Sequence, residues 1–197
     1  MFSTFQAEAQ FAIRAVRAGC AAARMVQHEL AARAIAKEDQ SPVTVADFAV
    51  QAIVARQLRQ TFPADPLVGE EAGDALRADP ALAAQVAGFA ARFEDGATPG
   101  AVADWIDSGT GEPGGRFWTL DPIDGTKGFL RGDQYAIALA LLVNGRVQVA
   151  ALGCPNLNRQ LEPEIGGEGA LLVAVRGEGT HISNLNTNFF ERLRVSA

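Results

Sequence analysis

The chain has 197 residues, 48% of them hydrophobic, and a formal net charge of −6. That is enough apolar material for one substantial core in a single compact unit. No apolar run reaches bilayer length, no basic block suits a nucleic-acid duplex, and MFSTFQAEAQ lacks the basic and apolar regions of a secretory leader, so neither a membrane span nor a duplex partner is expected and a cytoplasmic protein is.

From about Phe5 to Ile35 the chain is rich in Ala, with Ile13, Val16, Cys20, Ala23 and Leu30 at helical spacing. This predicts a long amphipathic helix whose apolar stripe is core. Ser41-Pro42-Val43-Thr44 ends a short connection, and a second helix runs to about Thr61, where Phe62-Pro63-Ala64-Asp65-Pro66 stops it. Leu67-Val68 reads as a short strand ending in Gly69-Glu70-Glu71. Residues 72–104 favour helix again, and Asp107 to Gly115 reads as a surface loop. Phe117 to Leu120 is a strand that ends in an acidic turn. Tyr135 to Val143 and Arg146 to Leu152 are apolar runs joined by Asn144-Gly145, which suits a type I′ hairpin. A second hairpin spans Ala170 to Val175 and Thr180 to Ile182, and Leu193-Arg194-Val195 reads as a last strand. Helices first and hairpins afterwards give an α+β fold, helices packed on a largely antiparallel sheet.

The chemistry concentrates in Asp121-Pro122-Ile123-Asp124-Gly125-Thr126. Paired carboxylates suit hard cations such as Mg²⁺. Free N–H groups at Gly125 and Thr126 suit an anion at a helix start. Together these are parts for transferring a phosphoryl group to water. Asp-Pro and Asp-Gly are also ordinary turn dipeptides. Asp47 reads either as the third position of a capping box headed by Thr44 or as a carboxylate leading the stripe Val50, Val54 and Leu58 inward. Glu70 and Glu71 point to opposite faces of an extended segment, so at most one faces the cavity of Asp121. His28 reads as a surface or packing residue, and His181 lies far in sequence from the acids. Cys20 and Cys154 are the only cysteines, which suits a reducing compartment, and no grouping supports a covalent Ser or Cys intermediate.

The run FWTLDPIDGTKGFLRGDQYAIALALLVNGRVQVAALGCPNL, Phe117 to Leu157, resembles the lithium-sensitive, Mg²⁺-dependent phosphatases of the inositol monophosphatase type. Lys127-Gly128-Phe129-Leu130-Arg131 and Gly153-Cys154-Pro155-Asn156-Leu157 resemble the 3'(2'),5'-bisphosphate nucleotidase branch. Weaker likeness extends through Lys37 to Asp47 and Val68 to Glu71. The resemblance implies a layered αβαβα sandwich, of which residues 1–197 would be the N-terminal metal- and phosphate-binding layers. It implies Mg²⁺ held by Glu70, by Asp121 bridging two ions, by the Ile123 carbonyl and by Asp124. Asp47 and Thr126 would orient the attacking water, and the Gly125 and Thr126 N–H groups would receive phosphate. Glu71 would support from outside the ligand shell, and Lys127 could add positive charge. The implied reaction removes the 3'-phosphate of adenosine 3',5'-bisphosphate, a step of nucleotide metabolism and sulfur assimilation; the alternatives are an inositol phosphate phosphatase or a catalytically weak metal- and phosphate-binding module. The family's Trp-Asp segment, which supplies another ligand to the second metal, has no counterpart, since Trp105 precedes Ile106 and Trp118 precedes Thr119. The resemblance therefore implies that the C-terminal domain is absent and that the exposed domain face could self-associate.

Overall fold

The computed structural model describes residues 2–34, 42–108 and 113–194. Two long helices, α1 (Gln6–Ala34) and α2 (Pro42–Thr61), lie side by side. After β1 (Leu67–Val68) come α3 (Gly73–Ala78), α4 (Pro80–Ala90) and α5 (Pro99–Asp107). The remainder is β2 (Arg116–Asp124), α6 (Thr126–Arg131), β3 (Ala136–Val143), β4 (Arg146–Cys154), β5 (Ala170–Val175), β6 (Gly179–Asn184) and β7 (Glu191–Arg192). The seven strands form one sheet in the order of the chain, parallel only between β1 and β2. This is the expected α+β arrangement.

Four details differ from the sequence reading. α2 already begins at Pro42, so Thr44 lies inside its first turn and cannot be the cap of a box with Asp47. The helical stretch expected over 72–104 is three helices, because Asp79-Pro80 and Thr98-Pro99 each start a new one. The Asp79 carboxylate accepts from the Ala81 and Leu82 N–H groups, and the Thr98 hydroxyl accepts from Ala101, satisfying amides that would otherwise be orphaned. β2 continues through Asp124 instead of ending at Leu120. The last strand is Glu191–Arg192, with Leu193 and Arg194 beyond it. Lys37 to Ser41, residues 109–112 and Val195 fall outside the described residues. The hairpin at Asn144-Gly145 is as expected, with φ of 50° and 70° at the two residues.

The core sits between the helix layer and one face of the sheet. Along β3, Ile137, Leu139 and Leu141 are buried, whereas Ala136, Ala138 and Ala140 are half-exposed. This alternation is the period of two. α1 packs against β3, β4 and β5. Trp118 is fully buried, edge-on to Phe11 of α1 at 5.0 Å and stacked on Phe62 at 6.1 Å. Its indole N–H donates to Asp65 at 3.0 Å, and Arg116 donates to the same carboxylate at 2.9 Å. A buried aromatic of this size contributes on the order of 2–3 kcal/mol. These contacts fix the start of β2 against α1 and the end of α2, and so fix where the acidic end of β2 emerges. Among the described residues no helix is long and apolar enough to cross a membrane. Both cysteines are free and buried.

Candidate metal and phosphate site

On a regular strand Asp121 and Asp124, three apart, would point to opposite faces. β2 is not regular there. Asp121 lies opposite Ala138 and Asp124 opposite Ala136, so three steps on β2 match two on β3. This is a β-bulge, one extra residue in one strand. It restores the parity, leaving Asp121 and Asp124 on the half-exposed face with Ala136 and Ala138. Pro122 tolerates the position because a bulge interrupts the ladder. The Asp121 carboxylate also accepts the Ile123 N–H. The sequence reading relied on a turn to bring the two acids together; a bulge inside the strand does so instead.

Glu70 follows from the β1 pairing. Leu67 is opposite Trp118 and Val68 opposite Thr119, in parallel. Two residues further along, Glu70 is level with Asp121. Both line a cleft of about 560 Å³ whose other walls include Ala138, Ala140 and Leu152 of the half-exposed sheet face. Asp47 lies on α2, one turn past Thr44, half-buried and within electrostatic reach of Glu70, Glu71 and Asp121. Burial, then Glu71, Glu70 and Asp121, push its carboxyl up to about 8. Burial and Glu70 raise Glu71, and burial, Glu70 and Asp124 raise Asp121. Five acids from three separate segments thus share one field.

Gly125 turns the chain out of β2 at φ 93°, a left-handed conformation that suits glycine, and α6 follows at once. No side chain caps α6, and Gly125, Thr126 and Lys127 are all exposed, next to Asp124. A helix of six residues carries a small dipole, so its value here lies in its free N–H groups. Two residues that the sequence reading missed hold α6 from behind. Gln27 of α1 donates to the Phe129 carbonyl at 2.6 Å, and buried Asn156 donates to the Asp133 carbonyl at 2.6 Å. The Gly-Cys-Pro-Asn run signalled Asn156 only as part of a motif; Gln27 carries no local signal.

The carboxylates of Asp47, Glu70, Asp121 and Asp124 and the Ile123 carbonyl offer oxygen donors, the kind preferred by Mg²⁺ and Ca²⁺. Among the described residues, no three Asp, Glu, His or Cys side chains close on a single point. The donor set fits a divalent cation in its chemistry, with Glu70 and Asp121 in one cleft and Asp47 and Asp124 within electrostatic reach of them. A cysteine nucleophile does not fit: burial pushes Cys154 up to about 11 and Cys20 higher. His28 is exposed, and His181 lies on β6.

Comparison with known proteins decides the lineage. Residues 5–197 match the inositol monophosphatase family. The chain belongs to that family. A 3'(2'),5'-bisphosphate nucleotidase of Schizosaccharomyces pombe is 42% identical over 210 residues, covering 98% of this chain and 60% of that protein. The 3'(2'),5'-bisphosphate nucleotidase 1 of Arabidopsis thaliana is 42% identical over 175 residues, covering 77% of this chain and 49% of that protein. The chain therefore spans 60% or less of the length of these curated relatives. Among solved structures, Mycobacterium tuberculosis SuhB superposes with a TM-score of 0.57 at 21% identity, covering 94% of this chain and 50% of that one. CysQ from Bacteroides thetaiotaomicron, a bacterial member of the inositol monophosphatase family, gives 0.56 at 18% identity over 92% of this chain and 50% of that one. Both likenesses show the inositol monophosphatase fold.

The raised Asp47 carboxyl gives a pH test of the cation-free protein. A carboxyl whose folded value lies near 8 rather than 3.8 binds more protons folded than unfolded. Its contribution to stability is complete below the ordinary Asp range and is lost as pH rises through about 8. In EDTA, Asp47→Asn is expected to match wild type near pH 4 and to exceed it by about 1–2 kcal/mol near pH 9, after allowance for partial exposure. Denaturant unfolding at both pH values checks this; a difference independent of pH would clear Asp47 of the role.

Proposed function

We propose that this chain carries the metal and phosphate site of a 3'(2'),5'-bisphosphate nucleotidase, which removes the 3'-phosphate of adenosine 3',5'-bisphosphate to give AMP and inorganic phosphate. The observation that carries the reading is the β2 bulge, which sets Asp121 and Asp124 on one sheet face beside Glu70 in a chain 42% identical to such nucleotidases. Glu70, Asp121, Asp124 and the Ile123 carbonyl are the proposed ligands of Mg²⁺, with Glu71 behind them. Divalent ions bound there supply charge to the phosphate and acidify a water near neutral pH. The Gly125 and Thr126 N–H groups, reinforced by Lys127, hold the non-bridging phosphate oxygens and orient the phosphorus. The Thr126 hydroxyl and the Asp47 carboxyl position the attacking water, and Asp47, ionised once cations offset its acidic neighbours, would take up its proton. The water oxygen bonds to phosphorus as the bond from phosphorus to the ribose 3'-oxygen breaks, and that oxygen takes a proton from solvent to become the 3'-hydroxyl of AMP. Positioning and preorganised charge are the main sources of rate in phosphoryl transfer.

Phosphate release from adenosine 3',5'-bisphosphate and from inositol 1-phosphate tests the reading. The assay uses the 197-residue chain and the same chain joined to the remaining segment of the fission-yeast relative. Mg²⁺-dependent release, at least about tenfold faster from the nucleotide, is expected of the joined chain. Preference for inositol phosphate, or release undiminished by EDTA, would contradict it.

A further inference from the structure

Gln51 is fully buried on α2, one turn beyond Asp47. Its side-chain carbonyl oxygen accepts the Glu70 N–H at 3.0 Å and the Glu71 N–H at 2.9 Å. Its amide nitrogen donates to the Glu71 carbonyl oxygen at 2.7 Å. One side chain thus meets three backbone groups of two consecutive residues just past the end of β1, where no further strand pairing holds them. The Gln51 amide is itself fully buried, and a buried amide without partners is costly, so the contact is specific as well as close. Gly69 shows how close. A Cβ there would stand 2.5 Å from the Gln51 side-chain carbon and 2.6 Å from its oxygen. Glycine is needed at 69 for the amide to reach past it.

We propose that Gln51 is a positioning residue. By fixing both peptide planes it makes Glu70 face the Asp121 cleft and Glu71 face Asp47, and it ties that choice to the helix that carries Asp47. An extended pair of glutamates has two facing choices, related by a one-residue slip. The three bonds of Gln51 allow one of them. Gln51 touches no proposed substrate atom; it acts through the backbone of Glu70 and Glu71. The role in cation binding rests on the proposed function, whereas the role in backbone placement does not.

The test uses the whole chain with three changes: Gln51→Met, which keeps the volume and deletes all three bonds; Gly69→Ala, which displaces the amide without removing it; and the pair together. Hydrogen exchange is read at the Glu70 and Glu71 amides and, as internal controls, at Ile53 and Val54 on the same helix. Mn²⁺ affinity is read by electron paramagnetic resonance. Either single change is expected to speed exchange at Glu70 and Glu71 at least about tenfold more than at the controls, and to weaken Mn²⁺ binding about tenfold or more. The pair is expected to be little worse than either alone, because both remove the same contact. Uniform acceleration along α2, or unchanged exchange at Glu70 and Glu71, would overturn the proposal, as would fully additive effects. A wild-type chain that takes up no Mn²⁺ would instead defeat the functional reading, and the exchange data would then decide the backbone role by themselves.

Discussion

Asp121→Asn is expected to reduce Mg²⁺-dependent phosphate release by about a thousandfold or more and to leave the fold intact. Asp121 is the residue on which the proposed charges converge: it feels Glu70 on one side and Asp124 on the other. Its place opposite Ala138, at the start of the bulge, puts it between β1 and the α6 turn. Loss of one strongly stabilising group costs about a hundred- to a thousandfold, and Asp121 would hold the proposed cation from the middle of the acid cluster. Asparagine has the same shape and removes repulsion, so the cation-free variant should melt no lower than wild type. A variant with lost activity and a collapsed melting temperature would point to folding; one that retained activity would remove Asp121 from the site.

Gly128→Ala is expected to destabilise the protein by about 3 kcal/mol or more and to abolish activity along with it. Gly128 sits in the middle of α6, and a Cβ there would come within 1.8 Å of the Gln134 carbonyl oxygen and 2.9 Å of its carbon. The obstacle is backbone, which cannot rotate aside as a side chain can. The same segment is held by the Asp133 N–H donating to the Gly128 carbonyl at 2.8 Å. Inserting an atom into a packed contact typically costs about 1–3 kcal/mol, and one this short exceeds the usual case. Thermal unfolding checks the value. Unchanged stability would mean that the turn from α6 into β3 has slack, and the steric account of Gly128 would fail. The Lys127-Gly128 pair that marks the nucleotidase branch in the sequence therefore has a structural reason at its second member.

These two residues show what the sequence made legible. Asp121 and Asp124 stood out by spacing, and Asn144-Gly145 named its turn type outright, because both signals are local. The route by which the acids meet was misread. A spacing of three implies opposite faces unless the register slips, and the slip depends on what β3 places across the strand. The capping box at Thr44 and Asp47 failed because Pro42 is itself a good first helical residue and starts α2 earlier. The Asp79-Pro80 and Thr98-Pro99 helix starts were visible signals that a general preference for helix over 72–104 obscured. Gln51 and Gln27 were beyond reach, since their partners lie in other segments and a glutamine inside a helix carries no distinctive pattern.

Asp47, Glu70, Asp121 and Asp124 are proposed to form a cation site completed by a phosphate held at Gly125 and Thr126. Mn²⁺ titration followed by electron paramagnetic resonance, with and without inorganic phosphate, tests it most directly. Mg²⁺-like ions shed water reluctantly and rely on substrate oxygens, so binding to the bare chain should be weak. Phosphate is expected to tighten it at least about tenfold, and Asp121→Asn to remove most of the binding in both conditions. Tight uptake by the bare chain, indifferent to phosphate and to Asp121→Asn, would rule out such a site.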